Sequence, residues 1–261
     1  MKATKIACQL LLSFICVAAA LFLGPNLLTR LRIAAAADSI PEFTLTQVQT
    51  SVGANSPNED KPMEERTIAA AATGLMARVT RNLVVGFTKR EVFDPVSGLQ
   101  REIYDDSKTY STVKLSVNEV QAKLQRRINP DSGCSAVMDG HAPIATGTQT
   151  DLGNGTFLGI SVRQFKYDFT NGVFLTTYLA PSLACESLFS QYVMPSNGVA
   201  TVKTLTVTIG TPDPSLFSIS NDYNERSYTA SFLAHMKASG MPQVVTPGLE
   251  KMDEFYNTHR P

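Results

Sequence analysis

The chain has no tryptophan, only three histidines (His141, His235 and His259), and four cysteines with no C-x-x-C pair among them. Each scarcity removes a class of chemistry. Zinc needs three or four His, Cys or carboxylate ligands gathered at recognisable spacing. Here no two histidines lie closer than 24 residues. A hydrolytic triad would have to use His141 or His235, since His259 sits close to the C-terminus, and neither accompanies a Gly-x-Ser-x-Gly elbow. There is no phosphate-cradling P-loop and no dinucleotide fingerprint. Asp105 and Asp106 are adjacent, so on a strand they face opposite sides and cannot share a substrate. The stretches 151–155 and 221–225 are rich in oxygen ligands but lack the alternation of a calcium loop, and they read as turns. Lys89-Arg90 and Arg101 read as a solvated strand face. Nothing marks a catalytic, cofactor or metal site, and the reading is a non-enzyme. A hydrolase built on His141 is the lowest-ranked alternative.

Charge of one sign is also lacking overall: 23 basic residues balance 23 acidic ones over 261 positions. That balance excludes a whole-chain nucleic-acid footprint. The balance is uneven along the chain, because the first 37 residues hold Lys2, Lys5, Arg30 and Arg32 and no acid. Nineteen basic against 23 acidic residues remain downstream, a net of −4.

The basic start is followed by an uncharged, mostly apolar run of 18 residues, Ile6 to Leu23, and then by Ala34 to Ala37. Positive start, apolar run and small residues make an export signal over residues 1–37, with cleavage after Ala37. The run is long for a signal, so an uncleaved anchor in the inner membrane is the alternative. Cys16 follows Ile15 rather than a small residue, which argues against lipid attachment. The chain is therefore read as exported, to the periplasm or the extracellular space.

Residues 38–59 are polar and irregular and read as a flexible linker. Asp60, Pro62, Glu64, Glu65 and the alanine run Ala69 to Ala72 suggest a helix over 62–73, ended by Gly74. From Arg78 onward the pattern alternates, with a turn at Asp94–Gly98, and predicts strands on both sides of it. Ser116-x-x-Glu119 is a capping box, and Val117, Val120, Leu124 and Ile128 recur at helical spacing behind it. That helix should cover a sheet.

The second half reads as strands. Asn171-Gly172 favours a two-residue hairpin turn, which would set Phe169 opposite Phe174 and Phe165 opposite Tyr178. Phe165, Tyr167, Phe169, Phe174 and Tyr178 would then share one apolar face of the ribbon. That face either takes a ligand or is filled core. Val199 to Ile209 is another strand, with Leu205, Val207 and Ile209 on one side and its threonines on the other; Pro212-Asp213-Pro214 ends it.

With the signal set aside, Cys134 and Cys185 remain, an even number in a chain addressed to an oxidising compartment. A disulfide follows from that context, stapling the loop after the capped helix to the strand end near Leu179–Leu188.

The order Phe93-Asp94-Pro95, Lys108-Thr-Tyr110, Gly159-Ile160, Thr177-Tyr-Leu-Ala-Pro-Ser182-Leu183 and Gly210-Thr-Pro-Asp213-Pro214-Ser-Leu-Phe217 resembles a group of uncharacterised secreted bacterial proteins. The last of these segments is also similar to the final strand of periplasmic carriers of the lipoprotein-localisation type. The resemblance covers roughly residues 75–228 and implies a curved antiparallel half-barrel covered by helices. In those carriers the half-barrel is lined with apolar side chains and holds lipid or acyl chains. No ligand residues carry over, and the cysteine pair is not part of the carrier pattern.

The expected architecture is α+β: a curved, mainly antiparallel sheet, half-barrel-like, covered by one or two helices, over residues 60–235. Residues 236–261 form a tail with room for a short helix. The first functional expectation is a non-enzymatic envelope protein that binds a lipid, another apolar ligand or a protein segment on the concave face. The alternative is an envelope scaffold that contacts a partner protein through an exposed strand edge, attached to the membrane if the N-terminal segment is uncleaved.

Overall fold

Among the described residues, twelve strands form one sheet, and its centre is a strand from the segment read as a linker. The strands are β1 (Phe43–Val52), β2 (Pro62–Ala70), β3 (Met76–Asn82), β4 (Thr88–Asp94), β5 (Leu99–Tyr104), β6 (Thr109–Lys114), β7 (Gly147–Phe157), β8 (Ile160–Phe169), β9 (Phe174–Ala180), β10 (Glu186–Val193), β11 (Val199–Ile209) and β12 (Asn224–Glu225). The helices are α1 (Val117–Ile128), α2 (Tyr228–Ala238) and α3 (Pro247–Thr258). The computed structural model describes residues 33, 40–53, 61–128, 134, 147–195, 198–243 and 247–259, without the side chains of 125–128. The export signal (Ile33 apart), residues 54–60 of the expected linker, and His141 lie outside the described residues.

Across the sheet the order is β12-β6-β5-β4-β3-β2-β1-β11-β10-β9-β8-β7. Every pairing is antiparallel except the two-residue β12 beside β6. Two meanders, β2–β6 and β7–β11, are thus joined through β1, which pairs with both β2 and β11. This open, curved α+β half-barrel is the architecture expected from the sequence.

Two expectations are corrected here. Residues 43–52 are not a linker: Phe43 and Leu45 are fully buried, and their alternation with threonines is that of a central strand. Residues 62–70 are a strand, not a helix, although alanine favours helices. Pairing on both sides decides it, since Ala70 lies opposite Phe43 and Met76, where a small side chain lets the large ones pack. Pro62 sits at the first strand position, where its missing N–H costs least.

Local signals fare well elsewhere. The Asp94 carboxylate accepts the backbone N–H groups of Val96 and Ser97 at 2.9 and 3.2 Å, forming the turn between β4 and β5. Gly98 closes it at φ +71°, and a Cβ there would meet the Leu115 carbonyl at 3.1 Å. The capping box forms in both directions, with Ser116 N–H donating to Glu119 at 2.7 Å and Glu119 N–H to the Ser116 hydroxyl at 3.3 Å. Val120 and Leu124 of α1 then pack into the main core with Phe93 and Val113.

The C-terminal residues are not a free tail. Helix α2 runs past position 235, and α3 packs Tyr256 into the main core. Asp253 of α3 accepts the Thr229 N–H of α2 at 3.1 Å. Among the described residues, no helix is long and apolar enough to cross a membrane.

Candidate functional site

The hairpin of β8 and β9 decides where the aromatic residues go. Its loop has three residues rather than two: Phe169 N–H donates to the Val173 carbonyl and Gly172 N–H to the Phe169 carbonyl, both at 3.0 Å. Gly172 takes φ +78°, the left-handed position that closes such a loop. Asp168 therefore faces Phe174, Phe165 faces Thr177 and Gln164 faces Tyr178. A slip of one residue exchanges faces, so the five residues expected on one apolar face divide into two groups.

Phe165, Tyr167 and Phe169 lie on one side with Leu175 and Leu179 of β9, and Cys134 is packed over them. Phe165 is 3 % and Tyr167 9 % exposed, so this side is filled core rather than an open seat. The covering contact is fixed by the disulfide between Cys134 and Cys185, with Cα atoms 5.4 Å apart. Cys185 stands at the turn before β10, as the cysteine arithmetic predicted.

Phe174 and Tyr178 point to the other side. Phe174 is 42 % exposed, and Lys166 lies over its ring at 5.1 Å. Tyr178 faces Phe189 across β9 and β10 with ring centres 4.8 Å apart, and Phe157 joins them at 6.1 and 6.2 Å. These three half-buried rings form an aromatic cluster that the sequence reading missed, because Phe157 and Phe189 come from other strands.

Beside this cluster runs β7, at the end of the sheet. It is exposed along nearly its whole length, and among the described residues it pairs only with β8. Its eleven residues carry one acid, Asp151, with no lysine, arginine or proline. The stretch 151–155 is thus strand rather than the expected turn, with a bulge between Asp151 and Gly153. Natural sheets usually blunt such an edge with charge, proline or a covering element. The opposite edge is covered by β12.

Strand β11 is bulged where it passes β1, and this buries Thr204 and exposes Leu205, while Val207 beyond the bulge stays packed against the main core. Thr204 pairs with Gln47 and is fully buried, whereas Leu205 has no partner opposite and is 51 % exposed. Gln47 donates to the Ser187 carbonyl at 2.6 Å and to the Thr204 hydroxyl at 3.1 Å.

A second polar cluster lies under α2 and α3. Glu102, 5 % exposed, accepts the Tyr104 hydroxyl at 2.5 Å and the Tyr256 hydroxyl at 3.3 Å, with Lys89 Nζ 3.5 Å away. Burial raises the Tyr104 and Tyr256 phenols, the Glu102 charge adding to it, and the same causes push Tyr228 up to about 12. Burial disfavours the Lys89 charge, but Glu102 and Glu91 outweigh it and raise the ammonium above its ordinary value. Lys89 is therefore not on a solvated face, and neither is Arg90, which is 7 % exposed and donates to the Ser215 carbonyl and to Asp105 at 3.0 Å each.

His235 is 1 % exposed, stacked on Tyr104 at 4.6 Å with Phe87 edge-on at 4.7 Å. Its Nδ1 lies 2.6 Å from Asp106 Oδ2, the oxygen that also accepts the Ser239 hydroxyl at 2.7 Å. The Ser239 hydroxyl also lies 3.5 Å from the same Nδ1, so serine and carboxylate meet at one ring nitrogen, whereas a nucleophilic triad holds them on opposite ring nitrogens. The arrangement anchors α2 to the turn after β5. Among the described residues, no three His, Cys, Asp or Glu side chains are grouped to hold a metal ion.

Neither a family profile nor a curated relative matches the sequence. Solved structures do align with parts of the chain. An uncharacterised conserved protein from Thermus thermophilus aligns at TM-score 0.44 and 7 % identity, over 77 % of this chain and 98 % of that one. The Pseudomonas aeruginosa MucA/MucB complex structure aligns at 0.38 and 14 %, over 74 % of this chain and 60 % of that one, so the match spans about three fifths of its length. A LolA-superfamily protein from Nitrosomonas europaea aligns at 0.30 and 7 %, over 72 % and 96 %. At these identities and scores the likeness supports no functional statement.

Proposed function

We propose that the chain is an exported, non-enzymatic binding module that takes up an extended protein segment by strand addition along β7. The observation that carries this reading is the long edge with a single charge, Asp151, paired on one side only among the described residues. A segment laid there would satisfy a row of backbone groups, which supplies affinity without much side-chain specificity. The Phe157, Tyr178 and Phe189 rings beside the edge offer apolar contact to the segment's side chains. The same half-exposed rings favour a second reading, in which an apolar ligand such as a fatty acyl chain lies on this face of the sheet. The mature protein is released from the membrane if the signal is cleaved after Ala37 and held there if it is not.

The test places a photo-reactive residue at Thr150 and irradiates cells. One discrete protein adduct is expected, whose purified segment slows amide exchange along β7 and leaves β12 unchanged. Thr148→Lys with Leu152→Lys, both at exposed positions, is expected to abolish adduct and protection together. If the cross-linked protein leaves β7 exchange untouched, strand addition is wrong. Saturable uptake of a fluorescent fatty acid, with β7 exchange unaltered, would favour the apolar-ligand reading instead.

A further inference from the structure

The face of β3–β6 turned away from α1 carries its own small core. Ala77, Val92 and Ile103 are buried there, and the chain following β11 folds back over them with Leu216, Phe217, Ile219 and Tyr223. Arg90 fixes this return segment by donating to its carbonyls. Register puts Arg101 on the same face, opposite Val92 and Thr112. Between Arg101 and the rings of Tyr110, Phe217 and Tyr223 lies an open cleft of about 420 Å³, to which Ser220 and Asn221 add polar groups.

Arg101 is half-buried and makes no hydrogen bond and no ion pair among the described residues. Two acids near the cleft are already engaged. Asp105 is held by Arg90 and by the Tyr223 hydroxyl at 3.0 Å each, and Asp222 pairs with Lys108 at 2.5 Å. Glu225, exposed on β12, lies beside the Tyr110 phenol, which burial and this carboxylate's charge raise above its ordinary value. A guanidinium drawn partly out of water without an acid is incomplete, because its planar fork of donors matches an oxyanion. Arg101 is the cation that lines the cleft among the described residues, with Arg90 and Lys108 beside it already paired, and a single guanidinium suits a singly charged group better than a phosphate dianion. The aromatic wall suits a flat body. The volume falls within the range of small-molecule sites.

We propose that this cleft binds a carboxylate carried on an aromatic body, with Arg101 taking the carboxylate and Phe217 and the two tyrosine rings taking the body. The carboxylate can belong to a free small acid or to an aromatic residue at the C-terminus of a peptide.

Purified mature protein labelled at its arginine side chains is titrated with benzoate and with acetyl-glycyl-phenylalanine, followed by the Arg101 side-chain resonance. Methyl benzoate, the peptide amide and inorganic phosphate serve as comparisons. Saturable shifts are expected with the acids and not with the ester, the amide or phosphate. Binding by benzoate assigns the free-acid source, and binding by the peptide acid alone assigns the C-terminal source. Arg101→Gln should weaken binding by about tenfold or more, and Arg101→Lys by less, since it keeps the charge and loses the fork. An unchanged melting temperature in both variants shows that the fold is retained. Absence of saturation with either acid, equal binding of the neutral analogues or of phosphate, or an Arg101→Gln protein that binds as well as the parent would overturn the proposal. The cleft lies on β5 and β6, far across the sheet order from β7, so its failure leaves the strand-addition reading untouched.

Discussion

The Tyr256 hydroxyl of α3 meets the Glu102 carboxylate of β5 at 3.3 Å, across 154 positions of sequence. The same carboxylate takes the Tyr104 hydroxyl and faces Lys89, so it ties helix to sheet from within a buried site. Tyr256→Phe removes one hydrogen bond to a charged acceptor and is expected to cost about 1.5 kcal/mol. Glu102→Gln also leaves Lys89 without that counter-charge and should cost about 3 kcal/mol. Urea denaturation followed by circular dichroism checks both, and equal costs would mean that the ammonium draws nothing from Glu102.

Alkaline pH should release the helices before it melts the sheet. The Tyr228 phenol is raised from 10.0 to about 12, and Tyr104 and Tyr256 are raised further. A phenol raised in the folded state contributes stability that is complete below its unfolded value and is lost as pH climbs through the folded one. The affected window is therefore above about pH 10, where unfolded tyrosines ionise. Tyrosinate absorbance should show a late-titrating class of phenols that appears together with loss of helix signal. If all eight tyrosines of the chain titrate as one ordinary class, the packing of α2 and α3 is not as described.

Much of the architecture could be read from residues adjacent in sequence. The capping box at Ser116 and Glu119, the Asp94 turn and the threonine-rich strand ending at Pro212 are local signals, and each produced its element. What escaped was set by distant partners. Ala69 and Ala70 favour a helix in isolation and become strand because β1 and β3 flank them. Phe43 and Leu45 were hidden in a polar context whose glutamines and threonines alternate with them. The single aromatic face expected from the sequence does not form, since one extra loop residue at Gly172 turned Phe174 and Tyr178 away from Phe165. Arg101 and the return segment are about 115 residues apart, and no local pattern could have joined them.

The divided hairpin predicts opposite outcomes for two phenylalanines. Phe165, 3 % exposed beneath Cys134, should cost about 3 to 5 kcal/mol when replaced by alanine. Phe174, 42 % exposed, should cost about 0.5 kcal/mol or less. Thermal melts of the two variants decide the register directly, because the two-residue turn would have placed both rings on one face with comparable burial.

The disulfide should stabilise one region more than the whole. Cys134 and Cys185 are separated by 51 positions, and the chain-entropy account gives a loop of that size about 4 kcal/mol. Cys134 also supplies part of the cover over Phe165, Tyr167, Leu175 and Leu179. Reduction, or Cys134→Ser with Cys185→Ser, should therefore expose β8 and β9 while β2 to β6, under their own helices, hold. Amide exchange resolved by strand is the measurement. The expected result is fast exchange across β8–β9 with protection kept at β4 and β5; uniform acceleration through the sheet would show that the link acts on the unfolded chain alone. Thiol titration of the native mature protein should find neither cysteine reactive, and free thiols at both positions would remove the basis for this prediction.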